Sequence, residues 1–78
     1  MKLLFFAQSA DWAGRREMSV HVRGVSPLRD VLRGLPELAP VLARRRTLRV
    51  AVNLEYSDLD ADVRDGDEVA FLPPVSGG

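Results

Sequence analysis

The spacing of apolar residues changes twice along this chain, and this change constrains the fold more than any other feature. Residues 17–23 alternate apolar and polar side chains, as in a strand with one side in solvent. Residues 28–35 carry apolar side chains at i, i+3, i+4 and i+7, which is the stripe of an amphipathic helix. Residues 48–54 alternate again. The chain must therefore place strands both before and after one main helix.

Two further strands are predicted near the ends of the chain. Lys2–Ala7 is a short run that is apolar on both faces, as expected of a central strand. Ser9–Arg16 is predicted to be a connection, and Asp58–Asp67 a polar loop. That loop closes with the turn signal Asp65-Gly66-Asp67, and Glu68–Leu72 is then the last strand.

Helix boundaries are marked by serine, proline and glycine. Ser26 is predicted to cap the free N–H groups of the main helix, with Pro27 in its first position. Gly34 and Pro36 are predicted to end that helix. A second short helical piece is expected over Glu37–Arg44, where Pro40 is acceptable in the first turn.

The resulting order is β-β-α-β-β, which predicts an α+β fold with one mixed sheet and the helix packed on one face. For a chain of 78 residues, a ubiquitin-like β-grasp is the leading topology. Residues 1–72 would form the domain and residues 73–78 an extended tail. A domain this small buries only about 60% of its unfolded surface, so its margin of stability is thin.

Composition excludes several classes of protein. The chain has no cysteine, which removes disulfides, thiol catalysis and thiolate metal sites. No apolar run reaches the roughly 20 residues that span a bilayer, and no signal peptide is visible, so we expect a cytoplasmic protein without a membrane partner. The Arg44–Arg46 run lacks interleaved aromatic residues, so nucleic acid is not an expected partner.

Charge is unevenly placed although the net charge is zero. Residues 1–49 carry 10 basic and 4 acidic residues, a sum of +6, and residues 50–78 carry 1 basic and 7 acidic residues, a sum of −6. Two interpretations stay open. Either the fold presents two faces of opposite sign that steer a protein partner, or the two halves neutralise each other.

Few residues are candidates for catalysis or metal binding. Asp58, Asp60 and Asp62 alternate as in a calcium loop, but that motif requires glycine and glutamate where the chain has Val63 and Val69. The only histidine, His21, is expected on the solvent side of a strand. We therefore expect no metal site, and no nucleophilic or acid–base constellation within this chain.

The chain closes on an uncharged stretch, Pro73-Pro74-Val75-Ser76-Gly77-Gly78. The prolines stop the sheet and favour an extended conformation, which gives the tail a reach of at most roughly 20 Å. Two glycines without side chains can enter a narrow tunnel and leave the carboxylate carbon open to attack. A partner could activate this carboxylate with ATP. The alternative is a frayed terminus without a function.

Four segments of the sequence resemble the small subunit of molybdopterin synthase, a ubiquitin-like sulfur carrier. Residues 4–8 are similar to the first strand of that family and residues 51–53 to its third. Residues 65–71 and 73–78 are similar to its closing segment, which is the most specific part. Leu72 stands where the family commonly has an aromatic residue.

The resemblance implies a function in molybdenum cofactor biosynthesis. Gly78 would be adenylated by an adenylyltransferase similar to those that activate ubiquitin, with ATP used by that partner and no cofactor bound by this chain. A sulfurtransferase would supply the sulfur that makes the terminus a thiocarboxylate. The tail would then enter the large subunit of the synthase, usually in an assembly of two small and two large subunits, and donate sulfur to cyclic pyranopterin monophosphate.

The chain is thus expected to be a non-catalytic, sulfur-donating subunit. Gly77 would give clearance beside the reacting Gly78. Six residues are expected to contact partners: Phe6, Tyr56, Leu72, Pro73, Pro74 and Val75. For Phe6, packing in the core is an open alternative. The competing functions are a sulfur carrier for thiamin thiazole synthesis, a protein-conjugating modifier and a plain β-grasp binding module.

Overall fold

The computed structural model of the chain describes residues 1–73. Within them the strands are β1 (Lys2–Phe5), β2 (Glu17–Ser19), β3 (Ser26–Pro27), β4 (Arg49–Val52), β5 (Glu55–Ser57), β6 (Asp62–Val63) and β7 (Glu68–Leu72). The α-helices are α1 (Gln8–Ala13), α2 (Leu28–Arg33) and α3 (Ala39–Leu42), and a 3-10 helix spans Pro36–Leu38.

Five strands form one mixed sheet in the order β2-β1-β7-β4-β5. The central pair, β1 and β7, is parallel, and the other neighbours are antiparallel. This mixed α+β architecture confirms the predicted β-grasp. β3 and β6 form a separate two-stranded ladder, so the expectation of a single sheet was incomplete.

The helices cover one face of the sheet and enclose the core there. The rings of Phe5 and Phe71 lie side by side on the two central strands, with centroids 5.2 Å apart and planes 9° from parallel. Leu28 and Leu32 of α2 are buried against this face. The other fully buried apolar side chains are Leu3, Leu38, Val41, Val63 and Val69.

A short helix occupies the segment that was predicted to be a connection. α1 follows β1 directly and buries only two small side chains, Ser9 and Ala13, which are four residues apart. A six-residue helix with so small a buried stripe gives almost no periodic signal. Gly14 ends it in the left-handed conformation (φ 74°), which favours glycine.

Three predicted boundaries were wrong. The second strand ends at Ser19 rather than Arg23: Val20 still exchanges two hydrogen bonds with Met1, but the Val22 N–H donates to the Asp65 carboxylate and not to β1. Ser26 lies in β3 and gives no cap to α2, whose N-cap position is Pro27. The 3-10 helix and α3 divide the predicted second helix.

The strand predicted over residues 48–54 is a hairpin. β4 ends at Val52, and Asn53 and Leu54, both with positive φ, turn the chain into β5. The Asn53 side chain donates to Asp67 and accepts from the Glu68 N–H, so it joins this turn to the predicted Asp65–Asp67 turn. Among residues 1–73, no helix is long and apolar enough to cross a membrane.

Candidate functional site

The strand register gathers apolar side chains on the sheet face that the helices leave uncovered. Ala70 of β7 lies opposite Leu4 of β1 on one side and Ala51 of β4 on the other, and Ala51 lies opposite Tyr56 of β5. These four residues therefore form a row across the sheet. They alternate along their strands with core residues such as Phe71, so they point away from the helices.

Phe6 and Leu72 extend this row at the edge where β1 and β7 both end. Phe6 directly follows Phe5, and its N–H donates to the Phe71 carbonyl at 3.4 Å. Its side chain is 47% exposed, so the alternative of core packing is wrong. Leu72 is half-buried and lies opposite Arg49. We call the six residues Leu4, Phe6, Ala51, Tyr56, Ala70 and Leu72 the outer patch.

Tyr56 is the most exposed member of the outer patch, at 74%. The guanidinium carbon of Arg49 lies 6.0 Å from the centroid of its ring, within range of a cation–π contact. Because Arg49 also pairs with Leu72, it connects the aromatic edge of the patch to the end of β7. Pro73 follows there and is half-buried.

A buried serine holds the two central strands together where they end. The Ser9 hydroxyl accepts from the Phe6 N–H at 2.8 Å and lies 2.7 Å from the Phe6 carbonyl oxygen and 2.9 Å from that of Phe71. Ser9 is fully buried, and it fixes the backbone one residue before Leu72. Ser9 was not among the predicted site residues, and its only signal in the sequence is that of a small polar residue one helical turn before Ala13.

His21 lies away from this site. Its imidazole Nδ1 is 2.9 Å from the Asp65 carboxylate, in the turn that precedes β7, whereas the tail follows the other end of β7. A hydrogen bond from the Val22 N–H, more than the charge of His21, lowers the pKa of Asp65 from its ordinary value of 3.8. His21 is exposed, as predicted, but lies in a loop and not in a strand.

The acidic loop contributes a surface ion pair. Asp60 contacts Arg29 of α2, and the Asp60 N–H donates to Asp58 at 2.8 Å. Within residues 1–73, no group of three or more histidine, cysteine or acidic residues is placed to hold a metal ion. Trp12 packs in α1 beneath the Arg44 guanidinium, at 4.8 Å from the ring centroid.

The structure therefore brings together four of the predicted site residues: Phe6, Tyr56, Leu72 and Pro73. The other four, Pro74, Val75, Gly77 and Gly78, lie outside the described residues. The described part of the site offers an apolar surface for a partner and a route by which the chain leaves the sheet.

Known proteins are similar to this chain both in sequence and in fold. The ThiS family model matches residues 3–78. The molybdopterin synthase sulfur carrier subunit of Chlamydomonas reinhardtii is 37% identical over 82 residues, which cover 100% of this chain and 98% of the relative. The crystal structure of SAMP1 from Haloferax volcanii superposes with a TM-score of 0.79 at 34% identity, and covers 99% of this chain and 97% of that one.

A solved complex is also similar. It is the protein–protein complex of subunits 1 and 2 of the molybdopterin-converting factor from Helicobacter pylori 26695, with a TM-score of 0.64 and 26% identity over 99% of this chain and 96% of that one. These matches confirm the predicted fold and the predicted resemblance to sulfur carriers. By sequence and by fold, the chain belongs to the ThiS family.

Proposed function

We propose that this chain is the sulfur-carrier subunit of a molybdopterin synthase. One observation carries the proposal: the outer patch and the start of the tail lie at the same edge of the sheet. A partner that binds Phe6, Tyr56 and Leu72 would therefore receive Pro73 and the residues after it. The full-length similarity to molybdopterin synthase sulfur carrier subunits supports this assignment.

The chemistry would proceed on the carboxylate of Gly78. A carboxylate is a poor electrophile, so an adenylyltransferase first transfers AMP from ATP to it and releases pyrophosphate. A persulfide on a sulfurtransferase attacks the acyl-adenylate and displaces AMP, which gives an acyl disulfide. A second thiol of the donor then attacks the sulfur bonded to the donor. This step forms a disulfide on the donor and leaves the thiocarboxylate on Gly78.

Sulfur delivery would take place within the large subunit of the synthase. The thiocarboxylate sulfur attacks a carbon of cyclic pyranopterin monophosphate and displaces an oxygen substituent from it, so that a C–S bond replaces a C–O bond and a thioester links carrier and substrate. Water then hydrolyses this thioester, which leaves the sulfur on the substrate and restores the carboxylate. The chain supplies the reacting group and a docking surface, while the large subunit supplies the catalytic groups. It would hold no cofactor itself, because ATP belongs to the activating partner.

Each part of the site then has a role. Gly78 carries the reacting carbonyl, and Gly77 lets the tail pass through a narrow opening. Pro73, Pro74 and Val75 line the stretch between the domain and the glycines. The outer patch supplies the apolar centre of an interface, where aromatic side chains contribute most of the binding energy. The assembly would contain two small and two large subunits.

Intact-mass measurement tests the proposal. The protein is incubated with ATP, a molybdopterin synthase adenylyltransferase and a sulfurtransferase with cysteine as the sulfur source. We expect a gain equal to the exchange of one oxygen for one sulfur, and no gain when ATP is left out. A variant extended by two residues beyond Gly78 is the control, and it should stay at its starting mass. An unchanged wild-type mass would refute the carrier function.

A second candidate is a protein modifier, which the similarity to SAMP1 favours because that protein is described as a small archaeal modifier protein. The activation step would be the same, but a lysine amine would displace AMP and form an isopeptide bond. The same incubation in cell extract separates the two functions, since a modifier gives protein-sized adducts. The Pro73-Pro74-Val75 segment argues against the third candidate, a carrier for thiamin thiazole synthesis, because such carriers usually lack it.

A further inference from the structure

Arginines surround the edge of the sheet at which the tail begins. Arg49, the first residue of β4, lies opposite Leu72. The turn before β4 contains Arg44–Arg46 and is closed by hydrogen bonds from the Thr47 and Leu48 N–H groups to the Arg44 and Arg45 carbonyls. On the other side, the Arg16 carbonyl accepts from the Phe5 N–H at 2.8 Å. We call Arg15, Arg16, Arg44, Arg45, Arg46 and Arg49 the arginine rim.

The charge of the arginine rim is not neutralised by its neighbours. All six side chains are exposed, and among residues 1–73 none forms an ion pair with a carboxylate. Asp11, Glu17 and Asp58 lie at the same end, and Lys2 contacts Glu17 at 3.5 Å. Six arginines against three carboxylates, of which Glu17 is paired with Lys2, leave this end positive.

The opposite end of the sheet is acidic. Asp65, Asp67 and Glu68 cluster where β7 begins, and Asp65 also contacts the Met1 ammonium at 3.7 Å. The basic and acidic halves of the sequence thus lie, in part, at opposite ends of the strands. The positive end is the end that carries the tail. The two interpretations of the uneven charge thus apply to different places. The basic end is suited to steer a partner, whereas the Arg29–Asp60 pair neutralises charge within the fold.

We infer that the arginine rim recognises an acidic surface around the opening through which the large subunit of molybdopterin synthase admits the tail. The inference rests on the proposed function and adds the charge of the partner surface to it. The tail reaches at most roughly 20 Å beyond the domain, so a partner that holds Gly78 in its active site brings the surface around its opening against the rim.

The arrangement has the anatomy of a protein interface. The outer patch is an apolar centre, and the arginine rim borders it through Arg49, which contacts both Tyr56 and Leu72. Arginine is enriched in interfaces, and charged rims act mainly on the association rate and on the choice of partner. Since the tail itself carries no side-chain charge, long-range attraction must come from the domain.

The association rate constant (kon) with the large subunit of the same organism tests the inference. The variant R44Q/R45Q/R46Q removes three of the six positive charges without altering the outer patch. At about 20 mM salt we expect kon to fall about tenfold, as for electrostatically steered association, while the dissociation rate changes less than about threefold. The wild-type kon should fall steeply between about 20 and 500 mM salt, and the variant's kon should fall much less.

The matched control R23Q/R64Q removes two charges elsewhere and is compared with R45Q/R46Q, which removes two charges of the rim. Arg64 lies near the acidic end, and Arg23 follows Val22, whose N–H donates to Asp65. The kon of R23Q/R64Q should stay within about twofold of the wild-type value. Thermal melting of all the variants shows whether each is folded, and single substitutions of the three arginines replace the triple variant if it is not.

Four results would overturn the inference. The first is a kon of R44Q/R45Q/R46Q within twofold of wild type at low salt, together with a wild-type kon that does not change with salt concentration. The second is an equal loss in the control. The third is that R44Q/R45Q/R46Q loses a wild-type affinity for a 20-nucleotide single-stranded DNA while its kon with the large subunit is unchanged, which would make the rim a nucleic-acid surface. The fourth, no binding of wild type to the large subunit, would overturn the proposed partner as well.

Discussion

Replacement of Ser9 by alanine tests how the edge beside the tail is held together. The Ser9 hydroxyl is fully buried and is the polar link between the ends of β1 and β7. In the variant, the Phe6 N–H loses its 2.8 Å acceptor and keeps only the 3.4 Å contact with the Phe71 carbonyl. The Phe6 and Phe71 carbonyls lose the hydroxyl as a donor, and each keeps one backbone donor, the Ser9 N–H for Phe6 and the Phe6 N–H for Phe71.

The magnitude follows from two opposing terms. An unsatisfied buried hydrogen-bonding group costs about 1–3 kcal/mol. Alanine is a better helix former than serine by roughly 0.5 kcal/mol, and Ser9 lies within α1, so part of the loss is recovered. We expect a net loss of about 1.5 kcal/mol in the free energy of unfolding. For a domain of this size, that corresponds to a fall in Tm of roughly 6–12 °C.

Urea unfolding followed by circular dichroism measures this loss directly. Ser19→Ala is the matched control, because Ser19 is exposed at the edge of the sheet and its unfolding free energy should change by less than about 0.5 kcal/mol. The slope of unfolding with urea should be the same in all three proteins. If Ser9→Ala cost no more than Ser19→Ala, the hydroxyl would not hold these strands, and the reasoning would be refuted.

Three further perturbations follow from the same structure. Leu54→Gly should raise the free energy of unfolding by about 0.5–1 kcal/mol in urea titration, because Leu54 is 93% exposed and has a φ of 69°. The pKa of Asp65 is lowered below 3.8, so its ionised form stabilises the fold above that pH, and this stabilisation is lost on further acidification. The difference in unfolding free energy between wild type and Asp65→Asn should therefore be constant above about pH 5 and should disappear below 3.8. Tyr56→Ala should raise the Kd for the large subunit about tenfold or more in calorimetry and leave Tm within about 3 °C, since the ring is 74% exposed.

The central features of the fold could be predicted from sequence because they are periodic. The β7 strand was predicted with its observed bounds, since a turn signal precedes it and proline follows it. The helix stripe from Leu28 and the stop at Gly34 were also confirmed. The elements that were missed, α1, β5 and the β3–β6 ladder, span only two to six residues each, too few for a period to be visible.

The candidate site was predictable only in part. Phe6 and Leu72 were both predicted to contact partners, and the parallel pairing of β1 and β7 places them at the same edge. Ser9 was missed because the hydrogen bond by which it reaches β7 spans 62 residues, to the Phe71 carbonyl, and no local pattern reports such a contact. The arginine rim was missed for a similar reason, since the register of β4 against β7 brings Arg49 to Leu72.

A single-turnover transfer assay shows whether the thiocarboxylate on Gly78 delivers its sulfur to the substrate. The thiocarboxylated protein is mixed with the large subunit and cyclic pyranopterin monophosphate in the absence of ATP, and protein mass and product are followed together. The account predicts that the protein returns to the mass of its carboxylate form while the dithiolene appears, with two carriers consumed per product because a dithiolene holds two sulfurs. Dithiolene formation by a Gly77→Trp variant at the wild-type rate, or a carrier that keeps its sulfur, would contradict it.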